Sequence, residues 1–184
     1  LWLLFSCRQP RTDACMLLFA GDLAMSVVCH CKRVVDTMCD FVVLFKEEIS
    51  DAWFRDCVVA LLLKLGAELT APTQTKVLHC LELLRSSFAG KLQLLAIFGM
   101  MKNHQSNPQN VKVRMAQVEY LALLLPKLDG ETIRSITGTP DMVAALERIA
   151  LFCAEPKSAN LRRVSIHVVL DLYEMDAEAL AGSI

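Results

Sequence analysis

The chain has 184 residues, of which 54% are hydrophobic and 21% are charged, and its formal net charge is -1. This length is enough to bury a sizeable core in one domain, and no long low-complexity or like-charge block predicts disorder. The near-neutral charge argues against a general nucleic-acid binder, and no apolar run approaches the roughly 20 residues that span a bilayer.

The pattern predicts helices throughout and no strand series. The predicted helices are 22–46 (one long helix or a bent pair), 50–67, 74–88, 90–102, 109–128, 140–154 and 159–175, with 13–20 left open and a further helix starting at residue 176. Val77, Leu81, Leu84 and Phe88 illustrate the apolar spacing of an amphipathic helix.

Candidate helix caps, glycines and prolines support these boundaries. Ser50 is a candidate N-cap, and Thr139 precedes Pro140 in the order that N-cap and first helical residue prefer. We expect Gly66 and Pro72 to end the second helix, and Gly130 and Gly138 to break the chain between segments.

Two segments repeat one design: residues 106–116 (SNPQNVKVRMA) and residues 155–165 (EPKSANLRRVS). Each has a proline-bearing turn, then Asn, an apolar residue and basic residues that open a helix, and residues 71–77 form a weaker copy. Turns that recur between helices at intervals of tens of residues are typical of an α-solenoid. The predicted fold is therefore all-α, with HEAT-type helical hairpins formed by 50–67 with 74–88, 90–102 with 109–128, and 140–154 with 159–175, after an earlier partial hairpin.

In such a stack, the turns inside hairpins lie on one edge and the connections between hairpins lie on the other. The turns inside hairpins, with the helix starts that follow them, span 29–35, 70–77, 102–115 and 155–164. Their only acid is Glu155, and their nine bases are Lys32, Arg33, Lys76, Lys102, Lys112, Arg114, Lys157, Arg162 and Arg163. The connections at 46–51, 85–91, 127–134 and 174–178 carry five bases and eight acids. We call the first set the basic edge.

The basic edge has two interpretations. Basic side chains at a helix N-terminus oppose the helix dipole by about 0.3–1 kcal/mol each, so their placement there suggests an acidic partner. Alternatively, such an Arg packs in a structural ladder with its stem over apolar neighbours. Both interpretations stay open for Arg114 and Arg163, whereas we expect Lys112, Lys157 and Arg162 to be exposed and functional.

The remaining candidate motifs do not indicate a metal site or a catalytic site. Cys29, His30, Cys31 and Cys39 do not have the paired spacing of a structural zinc site. No phosphate loop, zinc-hydrolase motif or nucleophile elbow occurs, so we predict a non-enzyme without cofactor or metal. The eight cysteines lie mostly within apolar helical pattern, which is typical of buried thiols in a reducing, intracellular compartment.

The segment EPKSANLRRVS and the following helix with VLDLYEM closely resemble the end of an internal TOG domain of the CLASP family, the cytoplasmic linker-associated proteins. Further matching segments occur in the order of that domain: KRV from Lys32, FVVLFK from Phe41, LKLGAEL from Leu63, NVKVR from Asn110 and YLALL from Tyr120. The resemblance covers roughly 32–184, and the third TOG domain is the best match. It implies domain boundaries of 29–184, with 1–28 a poorly matched or artefactual segment of a fragment that lacks an initiator Met.

The resemblance implies a paddle of HEAT repeats whose hairpin turns bind tubulin. It implies cytoplasmic and cytoskeletal roles in microtubule stabilisation, at plus ends, kinetochores and the spindle, with adaptor proteins as further partners and neither nucleic acid nor membrane. By position, the tubulin contacts are Lys32, Arg33, Lys76, Lys102, Lys112, Lys157, Arg162 and Arg163.

One departure from the family pattern limits this expectation. Tubulin-binding TOG domains present an aromatic residue, usually Trp, in the first turn, but Trp2 has no matching context and Trp53 belongs to a predicted helix. The first repeat therefore reads as incomplete, which predicts a weak or context-dependent tubulin contact. The alternative is a non-catalytic scaffold that packs against a neighbouring domain or an adaptor without touching tubulin, for which an apolar groove between hairpins would be the sign.

Overall fold

A computed structural model of the chain describes residues 31–66, 70–102, 110–175 and 177. Within these ranges every regular element is helical. The elements are α1 (Cys31–Phe45), α2 (Asp51–Leu65), α3 (Ala71–Ser87), α4 (Gly90–Lys102), α5 (Val111–Leu124), a 3-10 turn (Leu125–Lys127), α6 (Gly130–Arg134), α7 (Pro140–Cys153) and α8 (Ala159–Met175). The predicted elements at 13–20, at 22–30 and beyond residue 176 lie outside the described residues.

The helices stack in two layers. The first helices of the three hairpins form one continuous layer in which α2 packs on α4 and α4 packs on α7. In the second layer α1 packs on α3 and α5 packs on α8. One core of buried aliphatic and aromatic side chains runs between the layers, and its largest fully buried members include Phe54, Phe98 and Leu121. This architecture confirms the predicted all-α solenoid.

The local signals that start helices act largely as the sequence predicts. The Ser50 hydroxyl accepts a hydrogen bond from the Trp53 amide, and the Thr139 hydroxyl accepts one from Met142, ahead of Pro140. One boundary differs from the prediction. Pro72 lies in the first turn of α3, where its missing N–H is not needed, instead of ending α2.

The short helix α6 is absent from the sequence prediction. The Asp129 carboxylate accepts a hydrogen bond from the Thr132 amide at 2.7 Å, and Ile133 is fully buried. These two contacts stabilise a helix that begins at Gly130, a residue expected to break the chain. Gly138 does break it, because its φ of 74° lies in the left-handed region that other residues avoid.

The described cysteines Cys39, Cys57, Cys80 and Cys153 are free thiols, as the sequence predicts. Cys39 of α1 and Cys80 of α3 hydrogen-bond across the packed helices, and this bond lowers the pKa of the Cys39 thiol. Burial raises the pKa of Cys57 well above its usual value. These thiols act mainly as small core side chains.

Candidate functional site: the basic edge

The two repeated turn segments use different caps. In the first, the Asn110 side chain accepts a hydrogen bond from the Lys112 amide at 2.9 Å and caps α5. In the second, the Ser158 hydroxyl accepts from the Leu161 amide, while Asn160 lies inside α8. The shared sequence pattern therefore predicts a turn before each helix correctly but does not make the two Asn residues equivalent.

Glu155, the only acid of the basic edge, joins two consecutive turns. Its carboxylate accepts a hydrogen bond from the Arg114 guanidinium at 2.9 Å, and the two side chains are only 11% and 22% exposed. The same guanidinium lies over the Phe152 ring, 5.6 Å from its centroid. We call the Arg114–Glu155 pair the latch, because it ties the start of α5 to the turn between α7 and α8.

Arg162 completes the same turn from its own helix. Its guanidinium donates to the backbone carbonyl of Glu155 at 2.6 Å and to that of Pro156 at 3.4 Å. Because these bonds hold the guanidinium against the turn, Arg162 is half-buried, contrary to the expectation that it is exposed. Arg114 likewise follows the structural-ladder interpretation, with its stem and head group both in contact with the fold.

Two lysines of the basic edge pair with acids outside the turn segments. The Lys76 ammonium contacts the Asp36 carboxylate of α1, and the Lys102 ammonium lies 2.7 Å from Asp141 in the first turn of α7. The acids of these pairs neutralise part of the positive charge that a count over the turn segments alone assigns to this edge. The pairs are largely exposed, so each contributes little to stability.

Of the basic-edge residues whose side chains the structure describes, three remain available. Lys112, Lys157 and Arg163 are exposed, and Arg163 donates to Asn160 of its own helix at 2.9 Å. Among the described residues no side-chain ion pair or hydrogen bond holds Lys112 or Lys157. The side chains of Lys32 and Arg33, at the start of α1, lie outside the described part of the structure.

The latch joins the segments that carry the two free lysines, because Lys112 and Lys157 each lie two residues from a latch partner. A second bond extends the edge, since the Asn110 amide donates to the Gly66 carbonyl at the end of α2 at 2.8 Å. The end of α2, the start of α5 and the turn before α8 are thus held in a row. Across the described ranges, no cluster of His, Cys, Asp and Glu is arranged to hold a metal ion, and no helix has the length and apolar composition to cross a bilayer.

Trp53 does not serve as an exposed aromatic contact. It is buried, as expected of a core residue, and its ring lies 5.4 Å from that of Phe41. Trp2 lies outside the described residues. The family's first-turn aromatic therefore has no counterpart in the described part of the chain.

Two features are not predicted by the sequence. One is a buried polar network in which the Gln93 amide donates to the carbonyls of Arg85 and Phe88, and Tyr120 donates to Gln93 at 2.8 Å. The other is a cavity of about 570 Å³ that opens between α3 and α5. A Gln within the apolar run of α4 is the one signal that marks the network beforehand, since a buried amide needs polar partners.

Stacked helical hairpins of this kind define an α-solenoid of HEAT type. In sequence, the chain is similar to particular proteins: it is 29% identical over 151 residues to CLIP-associating protein 1 of Xenopus tropicalis. CLIP-associating proteins 1-A and 1-B of Xenopus laevis match equally, and each alignment covers 80% of this chain. These matches confirm the resemblance to the CLASP family.

The chain spans about a tenth of the length of these curated relatives. No protein-family model matches the chain. The assignment to the third TOG domain remains a prediction.

Proposed function

We propose that residues 29–184 form a non-catalytic TOG-type domain that contributes to tubulin or microtubule binding through the basic edge. The observation that carries the proposal is the pair of unengaged lysines, Lys112 and Lys157, on turns that the latch holds side by side. Two strongly hydrated cations at neighbouring helix starts, where the dipole disfavours them, suit an acidic protein surface. The similarity to CLIP-associating proteins supports microtubules as that surface.

The contact set that we propose is smaller than the nine candidates. Lys112, Lys157 and Arg163 contact the partner, and Lys32 and Arg33 extend the set toward the first repeat. Arg114 and Arg162 act as positioning residues, because their guanidinium groups already bind Glu155 and the turn backbone. Lys76 and Lys102 already pair with exposed acids. Binding the partner would replace one exposed ion pair with another, which adds little affinity. Since the described residues hold no first-turn aromatic, we propose a contact that is mainly electrostatic and weak.

Microtubule co-sedimentation over a series of salt concentrations tests the proposal. The double reversal Lys112→Glu/Lys157→Glu changes the net charge by four units at exposed positions. Its matched control is Lys46→Glu/Lys91→Glu, which makes the same change at exposed lysines of connections between hairpins. We expect the wild-type chain to bind less as salt rises, because exposed charges are screened beyond about 10 Å at 0.1 M.

The edge reversal should abolish co-sedimentation while the control reversal leaves most of it. If both reversals weaken binding equally, net charge and not the edge determines binding. If neither reversal weakens it, the edge assignment is wrong.

The second candidate function, a scaffold without direct tubulin contact, is favoured by one observation. The cavity between α3 and α5 is the apolar groove between hairpins that this alternative requires. Kinetochore and plus-end adaptors remain candidate partners for such a surface. A chain that does not co-sediment with microtubules but binds a helical ligand in this groove would support the scaffold alone.

A further inference from the structure

The second layer of the solenoid is divided by a groove. Helices α1 and α3 pack together on one side and α5 and α8 on the other, whereas α3 and α5 flank the cavity of about 570 Å³. Both walls present residues at the spacing i, i+3, i+4, i+7. These residues are Leu78, Leu81, Glu82 and Arg85 on α3, and Ala116, Glu119, Tyr120 and Leu123 on α5. Residues at this spacing form one face of a helix, which we call a stripe, and a second helix can pack along such a face.

The rims of the groove expose apolar surface to water. Leu78 on the α3 wall is 48% exposed and Leu123 on the α5 wall is 56% exposed. Leu62 and Leu65 of α2 and Val164 of α8 add further apolar lining. Because burying apolar area is favourable, an element that covers both rims at once is stabilised by each of them.

Polar contacts join the two walls at the floor of the groove. The Arg85 guanidinium lies over the Tyr120 ring, 5.3 Å from its centroid, and both residues are buried. Tyr120 in turn donates to Gln93, whose amide binds the carbonyls at the end of α3. These contacts fix the spacing of the two walls, because breaking them would leave buried polar groups without partners. The groove is therefore preformed.

The unbalanced charge in the groove is negative. Glu82 is engaged by Arg85 and by Lys127, whose ammonium lies 3.3 Å away. Glu119 is exposed and pairs with no described residue, and loss of hydration on the groove side of its carboxyl group raises the pKa of that group. A cation brought to this wall would stabilise the charged carboxylate directly and so offset its loss of hydration. His167, on α8, is the remaining titratable group of the lining.

We propose that this groove binds an amphipathic helix of a partner protein, with apolar residues at i, i+3, i+4 and i+7 and a Lys or Arg beside them that pairs with Glu119. An α-helix is the element that fits between two helical walls with this spacing, and the two turns of each stripe correspond to about 11 Å of ligand helix. The groove lies between helices of the second layer, so this inference does not rest on the microtubule proposal; it rests on the scaffold candidate and gives that candidate a ligand class.

The probe is a fluorescein-labelled 16-residue helical peptide with Leu at the four stripe positions and Lys flanking them. A matched acidic peptide carries Glu at each of those Lys positions. We expect the full 184-residue chain to bind the basic peptide at least about tenfold more tightly than the acidic one, measured by fluorescence anisotropy. The Glu119→Lys variant should reverse this preference, because the charge that selects the ligand changes sign.

The rims are tested by Leu78→Ser/Leu123→Ser, with Leu151→Ser as the matched control at an exposed leucine of α7. The rim variant should bind the basic peptide at least about tenfold more weakly, whereas the control should bind it unchanged. Circular dichroism checks that each variant retains its helices.

Three results overturn the inference. The first is equal affinity for the two peptides or no binding of either one. The second is binding that the Glu119 and rim variants do not change. The third is a concentration-dependent dimer of the unliganded chain that the rim variant dissociates, because a second copy would then be the occupant.

Discussion

Removing the charge of Glu155 tests whether the basic edge is held together by the latch. Glu155→Gln keeps the size of the side chain and an oxygen that can accept from the Lys157 amide, but it removes the anion that faces Arg114. The two side chains are 11% and 22% exposed, so water screens them only in part. The interaction should therefore exceed the roughly 0–1 kcal/mol of an exposed pair.

Hydrogen bonds to charged groups contribute about 1.5–3 kcal/mol, so we expect Glu155→Gln to lower the free energy of unfolding by about 2 kcal/mol. For a chain of this size that corresponds to a decrease in Tm of about 4–8 °C. Arg114→Met keeps an apolar stem against Phe152 while it removes the guanidinium. The double variant should show a coupling of about 1–2 kcal/mol between the two positions.

Urea denaturation followed by circular dichroism measures all four members of this cycle. Lys112→Gln and Lys157→Gln are the controls, and each should change the free energy of unfolding by less than about 0.5 kcal/mol because its side chain is exposed. Additive effects of Glu155→Gln and Arg114→Met, within about 0.5 kcal/mol, would refute the latch.

Three further predictions concern the same fold. Gly66→Ala would place a methyl group against the buried side chain of Val113 and should cost about 1–3 kcal/mol in urea unfolding, whereas Gly99→Ala, with open space around it, should stabilise α4 by about 0.5–1 kcal/mol. Thr139→Ala removes an N-cap and should cost about 1 kcal/mol in the same assay, and Thr139→Ser should restore it. Because burial raises the pKa of Glu119, its contribution favours folding at low pH and is lost as pH rises through the folded-state pKa. Glu119→Gln should therefore raise Tm at pH 7 relative to wild type and lose that advantage near pH 4; a constant difference at both pH values would exclude titration as the cause.

The sequence predicts the helices well because local signals determine them. The apolar period, the caps at Ser50 and Thr139 and the turn at Gly138 all act within one helical turn of the residues that carry them. The boundary at Pro72 is predicted less well because proline is compatible both with the end of one helix and with the first turn of the next.

The functional interpretation of individual basic residues is harder to predict from sequence. Lys112 and Arg114 lie two positions apart in the same motif, yet one is exposed and the other is held by Glu155, 41 residues further along the chain. Such a partner depends on which turns the solenoid places side by side. The groove between α3 and α5 likewise cannot be predicted from helical periodicity. Periodicity describes each helix by itself, whereas the groove is a space between two helices.

The divided second layer also has a mechanical consequence. The layer formed by α2, α4 and α7 is continuous, so the solenoid should bend most easily where the other layer is interrupted, between α3 and α5. The hydrogen bond from Asn110 to Gly66 joins the start of α5 to the end of α2, and so connects the hairpins on the two sides of that interruption. Opening or closing at the interruption would change the angle between the turns on either side. The curvature of the basic edge would then depend on what fills the groove.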